Sequence, residues 1–218
     1  MKNRLLGSML LFASPYIMAN TLQQSVDSFD RITLSKGMNV QIVCGKTAQF
    51  KASGDASMLN KLSWGVENRE LVLTNVIYNE DGIELWPNKL DVLIHTDSPI
   101  SHVEGTFGVT IDMEECSYDD ASLTLKGSMG ASYTIAGTVE TLDLNLSMGA
   151  DFNTSTPPPR FLVDKALIDL SMGADANICQ SAEVSGPVSM GGHVVIGTHT
   201  IDKLSVSFGG QKKRQSCN

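Results

Sequence analysis

Apolar and polar residues alternate with a period of two over much of the chain. In "FDRITLSKGMNVQIVCG", residues 29–45, Ile32, Leu34, Met38, Val40 and Ile42 fall on alternate positions between polar neighbours. That period belongs to strands with one buried face. "QFKASGD" (49–55), "LSWGVENRELVLTN" (62–75) and "LDVLIHTD" (90–97) predict further short strands. Lys36-Gly37, Gly54-Asp55 and Glu67-Asn68 punctuate them as turns. "DASMLNKL" (55–62) has room for a short helical turn, and few other helices are expected.

From residue 127 onward the alternation acquires a second, longer period. "GSMGAS" (127–132), "LSMGAD" (146–151 and 170–175), "VSMGGH" (188–193) and "VSFGGQ" (206–211) repeat one unit. Its serine recurs at Ser128, Ser147, Ser171, Ser189 and Ser207, in steps of 19, 24, 18 and 18 residues. The long step holds "TSTPPPR" (154–160), which reads as an insertion. "GTFGV" (105–109) resembles a degenerate first copy.

Aligned on the serine, apolar rows appear on both sides. Leu125, Leu144, Ile168 and Leu204 form one row, and Tyr133, Phe152, Ala176 and Val194 another. A fixed period near 18 means stacked units. Each unit is too short for a helical hairpin or a propeller blade. The chain is therefore expected to be all-β: a parallel β-helix with coils of ~18–19 residues, preceded by a short-stranded β region. The motif glycines are expected at corners where φ is positive. The methionines beside them, Met129, Met148, Met172 and Met190, are expected to form an internal ladder.

Composition adds the cellular setting. Lys2 and Arg4, followed by the apolar run from Leu5 to Met18, read as a signal peptide covering residues 1–19. The expected organisation is then residues 20–105 as the N-terminal β region, 106–210 as the coils and 211–218 as a basic C-terminal tail. No later segment is apolar enough for a membrane span. Without residues 1–19 the chain carries 14 basic residues against 24 acidic ones, a net charge of −10. That balance argues against nucleic acid as a partner. Cys44, Cys116, Cys179 and Cys217 are too widely spaced for a zinc motif. In an oxidising compartment they allow disulfides, with three pairings open.

The order "FDRITLSKGMNVQIVCG…FKASGD…LNKLSWGVENRELVLTN…LDVLIHTDSPISHVEGTFGV", followed by repeated "L-x-L-x-x-S-x-G-A", resembles the bacterial DUF2807 proteins. These are described as autotransporter adhesin heads, or GIN domains. The resemblance runs from about residue 27 to about 210. It implies an exported bacterial protein with a right-handed β-helix-like fold, and it brings no catalytic residues with it. The methionine after the serine and the triple proline, Pro157 to Pro159, set this chain apart from many relatives.

Catalytic chemistry finds little footing in the sequence. "KGSMG" places glycine directly before Ser128 and so fails the G-x-S-x-G pattern of a nucleophile elbow. Five equivalent serines fit stacking better than a single nucleophile. Stacked methionine thioethers suit Cu(I), but methionine also fills cores. Asp151 and Asp175 occupy equivalent positions, where stacked carboxylates could take Ca²⁺ or cap turns. The four histidines are scattered and suggest no metal pair.

Two loops carry interaction chemistry. "VIYNEDGIELWPNKL" (76–90) brings Tyr78 and Trp86 beside acidic groups, suited to stacking on a sugar or to packing on the loop's own sheet. "TPPPR" (156–160) predicts a stiff polyproline II protrusion. Tyr78, Trp86, Asp151 and Asp175 are the candidate ligand-binding residues. No catalytic residue, metal site or cofactor is expected. The expected function is an exported, non-enzymatic, adhesin-like or envelope-associated protein with binding or structural work. Its expected partner is an envelope polysaccharide or a surface protein. The alternatives are a carbohydrate-active enzyme on the same fold and a periplasmic metal-binding protein.

Overall fold

The computed structural model describes residues 20–75, 78–79, 82–83, 89–154 and 161–217. The expected stack of parallel coils is the fold observed. Each coil gives one strand to each of two facing sheets. Ser122–Ser128 is followed by Ser132–Ile135, Gly137–Leu146 by Asp151–Thr154, and Phe161–Leu170 by Asp175–Ile178. Ser181–Val188 is followed by His193–Gly197, and Ile201–Val206 by Gln211–Gln215. Every neighbouring pair in this series is parallel.

The register is the one the repeat dictates. Tyr133, Phe152, Ala176 and Val194 lie directly above one another, as do Leu146, Leu170 and Val188. All are buried. Each large side chain so placed contributes about 1.5–3 kcal/mol through removal from water. Apolar character repeats along each row because each coil's core is packed by its two neighbours.

Chain order and stacking order differ at the N-terminal end. The coil made by Arg31–Ser35 and Met38–Cys44 sits between two others. On one side are His102–Thr106 and Thr110–Met113; on the other are Glu70–Thr74 and Leu90–Thr96. The chain thus starts inside the stack, builds outward, then returns to continue in the opposite direction. Antiparallel strands close the outer end: Gln49–Gly54 and Asn20–Ser25 on one sheet, Ser63–Glu67 on the other. The helical turn Ala56–Leu59 lies between them in sequence and buries Leu59.

The far end is finished with charge. In the last coil Asp202 takes the place of Val184, Lys212 that of Val194 and Arg214 that of Ile196. Lys212 Nζ lies 2.6 Å and Arg214 Nη2 3.1 Å from Asp202 Oδ2, whose side chain is 12% exposed. Burial works to raise the Asp202 carboxyl. Hydrogen bonds from Lys212 and the Leu204 amide, with the charges of Lys212 and Arg214, outweigh it and hold the group below the usual carboxylate range. Inward-pointing charge is a known way to blunt a sheet edge against further strand addition.

Two disulfides tie coils together, one inside the stack and one at its far end. Cys44 is bonded to Cys116, and Cys179 to Cys217. The second ties the residues after the last strand back to a coil two layers earlier.

Candidate functional site

The corner formed by the repeated motif is a turn with two consecutive left-handed residues. Met129, Met148, Met172, Met190 and Phe208 have φ between 46° and 52°, and the glycines after them between 70° and 78°. The amide two residues beyond each methionine or Phe208 donates to the carbonyl of the preceding serine, as from Ala150 to Ser147 at 3.1 Å. This is the geometry of a type I′ turn, whose first central position favours Asn, Asp or Gly.

That geometry overturns the expectation of an internal methionine ladder. Straight strand alternation through the motif would send the methionine inward. Two left-handed residues reset the alternation, so the alanine two positions later points in instead. Ala131, Ala150 and Ala174 are buried, while Met129, Met148, Met172 and Met190 are 41–56% exposed. Phe107 and Phe208 occupy the same row and are exposed too. The stacking bonds run through the backbone, from the Gly130 amide to the Met148 carbonyl at 3.2 Å and from Gly149 to Met172 at 3.1 Å. The motif serines contribute main-chain groups to this pattern.

The carboxylate row lies just past the corner. Asp151 and Asp175 are register neighbours, as the repeat implied. Asp175 Oδ1 is 3.0 Å from His193 Nδ1, and Asn153 Nδ2 donates to Asp151 Oδ1 at 3.4 Å. Among the described residues no group of three or more His, Cys, Asp or Glu side chains is placed to hold a metal ion. Tyr78–Asn79 pairs antiparallel with Gly82–Ile83. Trp86 and the triple proline lie outside the described residues.

A cleft that sequence reasoning missed opens beside the second disulfide. Its volume is about 650 Å³, within the range of small-ligand sites. Leu162 and Ile201 line it and are 47% and 58% exposed. Ser181, 5% exposed, carries a buried hydroxyl without a hydrogen-bond partner among the described residues. Gln180 Nε2 donates to the Cys217 carbonyl at 3.2 Å, which leaves Gln180 Oε1 buried and equally unpartnered. Asp164, Thr198, His199, Thr200 and Ser216 are its other polar lining residues. Two orphaned polar atoms on residues lining one cleft are unusual, because burial without a partner costs about 1–3 kcal/mol each. The available signal was weak: "CQSAE" (179–183) falls between recurring units, where no repeated residue marks it.

A smaller concavity of about 360 Å³ lies on the outer face near Asn39, Gln41, Lys51, Asp91 and Asp112. Its polar groups partly satisfy one another, as where Asn39 Nδ2 donates to Asp91 Oδ1 at 2.9 Å.

Residues 28–199 match the family described as "Putative auto-transporter adhesin, head GIN domain". Among solved structures the chain is similar to a "putative adhesin" from Bacteroides fragilis NCTC 9343. The two are 12% identical, the match covers 92% of this chain and 99% of that one, and the TM-score is 0.63. A "putative adhesin" from Parabacteroides distasonis ATCC 8503 is 10% identical over 91% of this chain and 97% of its own, with a TM-score of 0.53. A "Putative lipid binding protein" from the same organism is 10% identical over 90% and 96%, with a TM-score of 0.52. At such identities the likeness is one of fold. No curated protein matches the chain.

Proposed function

This chain belongs to the DUF2807 family of head GIN domains, and from that premise we propose that it is an exported, non-enzymatic, adhesin-like protein that holds an envelope or surface saccharide. The cleft beside Cys179–Cys217 is the binding site in this reading. The observation that carries it is the pair of buried, unpartnered atoms, Ser181 Oγ and Gln180 Oε1, between exposed Leu162 and Ile201. A sugar offers what such a cleft lacks: hydroxyls for both orphaned atoms and an apolar ring face for the aliphatic rim. Export is supported by the two disulfides, which belong to oxidising compartments, and by the charged, then apolar, start of the chain.

Binding is favoured over hydrolysis by the lining itself. Glycoside hydrolysis uses two carboxyl groups flanking one bond, and Asp164 is the one carboxylate among the cleft's described lining residues. The test is a screen of the chain without residues 1–19 on arrayed glycans and envelope polysaccharides, with mass spectrometry of every bound sugar. Intact bound sugar is the expected result. Cleaved sugar would make the protein an enzyme, and silence across the array would move the partner to a surface protein.

A further inference from the structure

We propose that the exposed corner ladder Met129–Met148–Met172–Met190 is a binding site for soft monovalent metal ions, Cu(I) or Ag(I), held between thioethers of successive coils. The proposal is independent of the saccharide reading and uses a different face.

Three features of the ladder point to this ligand. The first is its cost. Each methionine is held at φ near 50°, where a residue with a Cβ is strained by roughly 1–2 kcal/mol and where Asn or Gly would close the same turn. Each is also 41–56% exposed, so packing does not account for the choice. The turn imposes the same left-handed backbone on Lys36, Phe107 and Phe208, so it is the choice of methionine in four consecutive coils that calls for a function. If apolarity alone mattered, leucine would serve, yet four consecutive coils all carry methionine, flanked by Phe107 and Phe208.

The second is spacing. Backbone bonds from the Gly130, Gly149 and Gly173 amides to the next coil's methionine carbonyl, at 3.1–3.2 Å, lock the four residues in one column. Parallel coils lie about 4.8 Å apart. A zinc–thiolate bond is about 2.3 Å, and metal–sulfur bonds of that order let one ion bridge two sulfurs a coil spacing apart. Methionine's three rotatable bonds allow a third sulfur to close in.

The third is selectivity. Thioethers favour Cu(I) over hard dications. The rows on either side of the methionines at the corner are serine and glycine, which supply no carboxylate for Ca²⁺ or Mg²⁺. All four cysteines are in disulfides, so no thiolate competes for the ion.

The experiment uses the chain with ¹³Cε-labelled methionine. It is titrated with Ag(I) in chloride-free buffer, and with Cu(I) kept reduced by ascorbate without oxygen. Met38 and Met113 are buried and act as internal controls. The expected result is a saturable shift of the ladder methyl signals, with the Met38 and Met113 signals unmoved and Zn²⁺ without effect. Loss of even an outer-sphere partner weakens metal sites by about 10–100-fold. The double variant Met148→Leu/Met172→Leu, which keeps the bulk and removes the sulfur, is therefore expected to bind about tenfold or more weakly at an unchanged melting temperature. No shift at saturating metal, an equal shift with Zn²⁺, or full affinity in the double variant would overturn the proposal.

Discussion

Met148 and Met172 stand at the same corner of successive coils, tied by a 3.1 Å hydrogen bond from the Gly149 amide to the Met172 carbonyl. Both have left-handed backbones. Asparagine tolerates that conformation far better than methionine does. Met172→Asn is expected to stabilise the fold by about 0.5–1 kcal/mol, which for a chain of this size raises Tm by a few degrees. Calorimetry checks it. An unchanged or lower Tm would mean that the methionine side chain contributes packing which its exposure does not reveal.

Gly105 and Gly127 interrupt a row that runs from Leu34 to Leu146, Leu170 and Val188. The reason is Tyr133, whose buried ring fills the space and whose hydroxyl donates to the Lys126 carbonyl. A Cβ at Gly127 would lie 2.7 Å from Leu146 Cδ2 and 2.9 Å from Tyr133 Cε2. Gly127→Ala is expected to cost about 1–3 kcal/mol through overpacking. Gly130→Asn, at a corner with open space around it but a φ of +75°, is expected to cost about 1 kcal/mol or less, because asparagine tolerates a left-handed backbone. Urea titration of the two variants compares them directly.

The Asp202 clasp has a predicted pH dependence. Its folded carboxyl sits below the ordinary range, so its stabilising contribution is present above the unfolded value of about 3.9. That contribution is lost as pH falls through the lower, folded value. Amide exchange at 211–215 should therefore accelerate, relative to the intrinsic rate, on going from neutral pH to below about pH 4. Asp202→Asn should show the faster exchange already at neutral pH.

Each disulfide closes a loop whose length sets its effect on the unfolded chain. Cys44–Cys116 spans 72 residues and Cys179–Cys217 spans 38. Loop-closure entropy assigns each about 4 kcal/mol, slightly more to the longer loop. Cys179→Ala/Cys217→Ala should lower global stability by about that amount. It should also loosen the Gln180 side chain, which is held by the Cys217 carbonyl. Denaturant unfolding with exchange readout separates the two effects.

Much of the architecture was legible because the stacking is written twice, as alternation and as an 18-residue period. Rows such as Tyr133–Phe152–Ala176–Val194 follow from counting alone. The methionines were misplaced because counting assumes an unbroken strand, and nothing in "SMGA" announces that two residues turn left-handed together. The position of Arg31–Cys44 inside the stack was hidden for a related reason: sequence order suggests stacking order, and here the chain doubles back. Asp151 and Asp175 were correctly paired by register. Ser181 and Gln180 carry no repeated signature and are brought to one cleft only by the coil geometry and the Cys217 carbonyl.

The most direct test of the proposed binding role compares the parent chain with Ser181→Ala/Gln180→Leu and with Trp86→Ala on the same glycan and polysaccharide array, after melting curves show each variant folded. The account predicts sugar binding by the parent, its loss in the cleft variant and its retention in Trp86→Ala. Sugar binding that survives unchanged in Ser181→Ala/Gln180→Leu would contradict the cleft as the site, and its loss in Trp86→Ala alone would place the contact on the 76–90 loop instead.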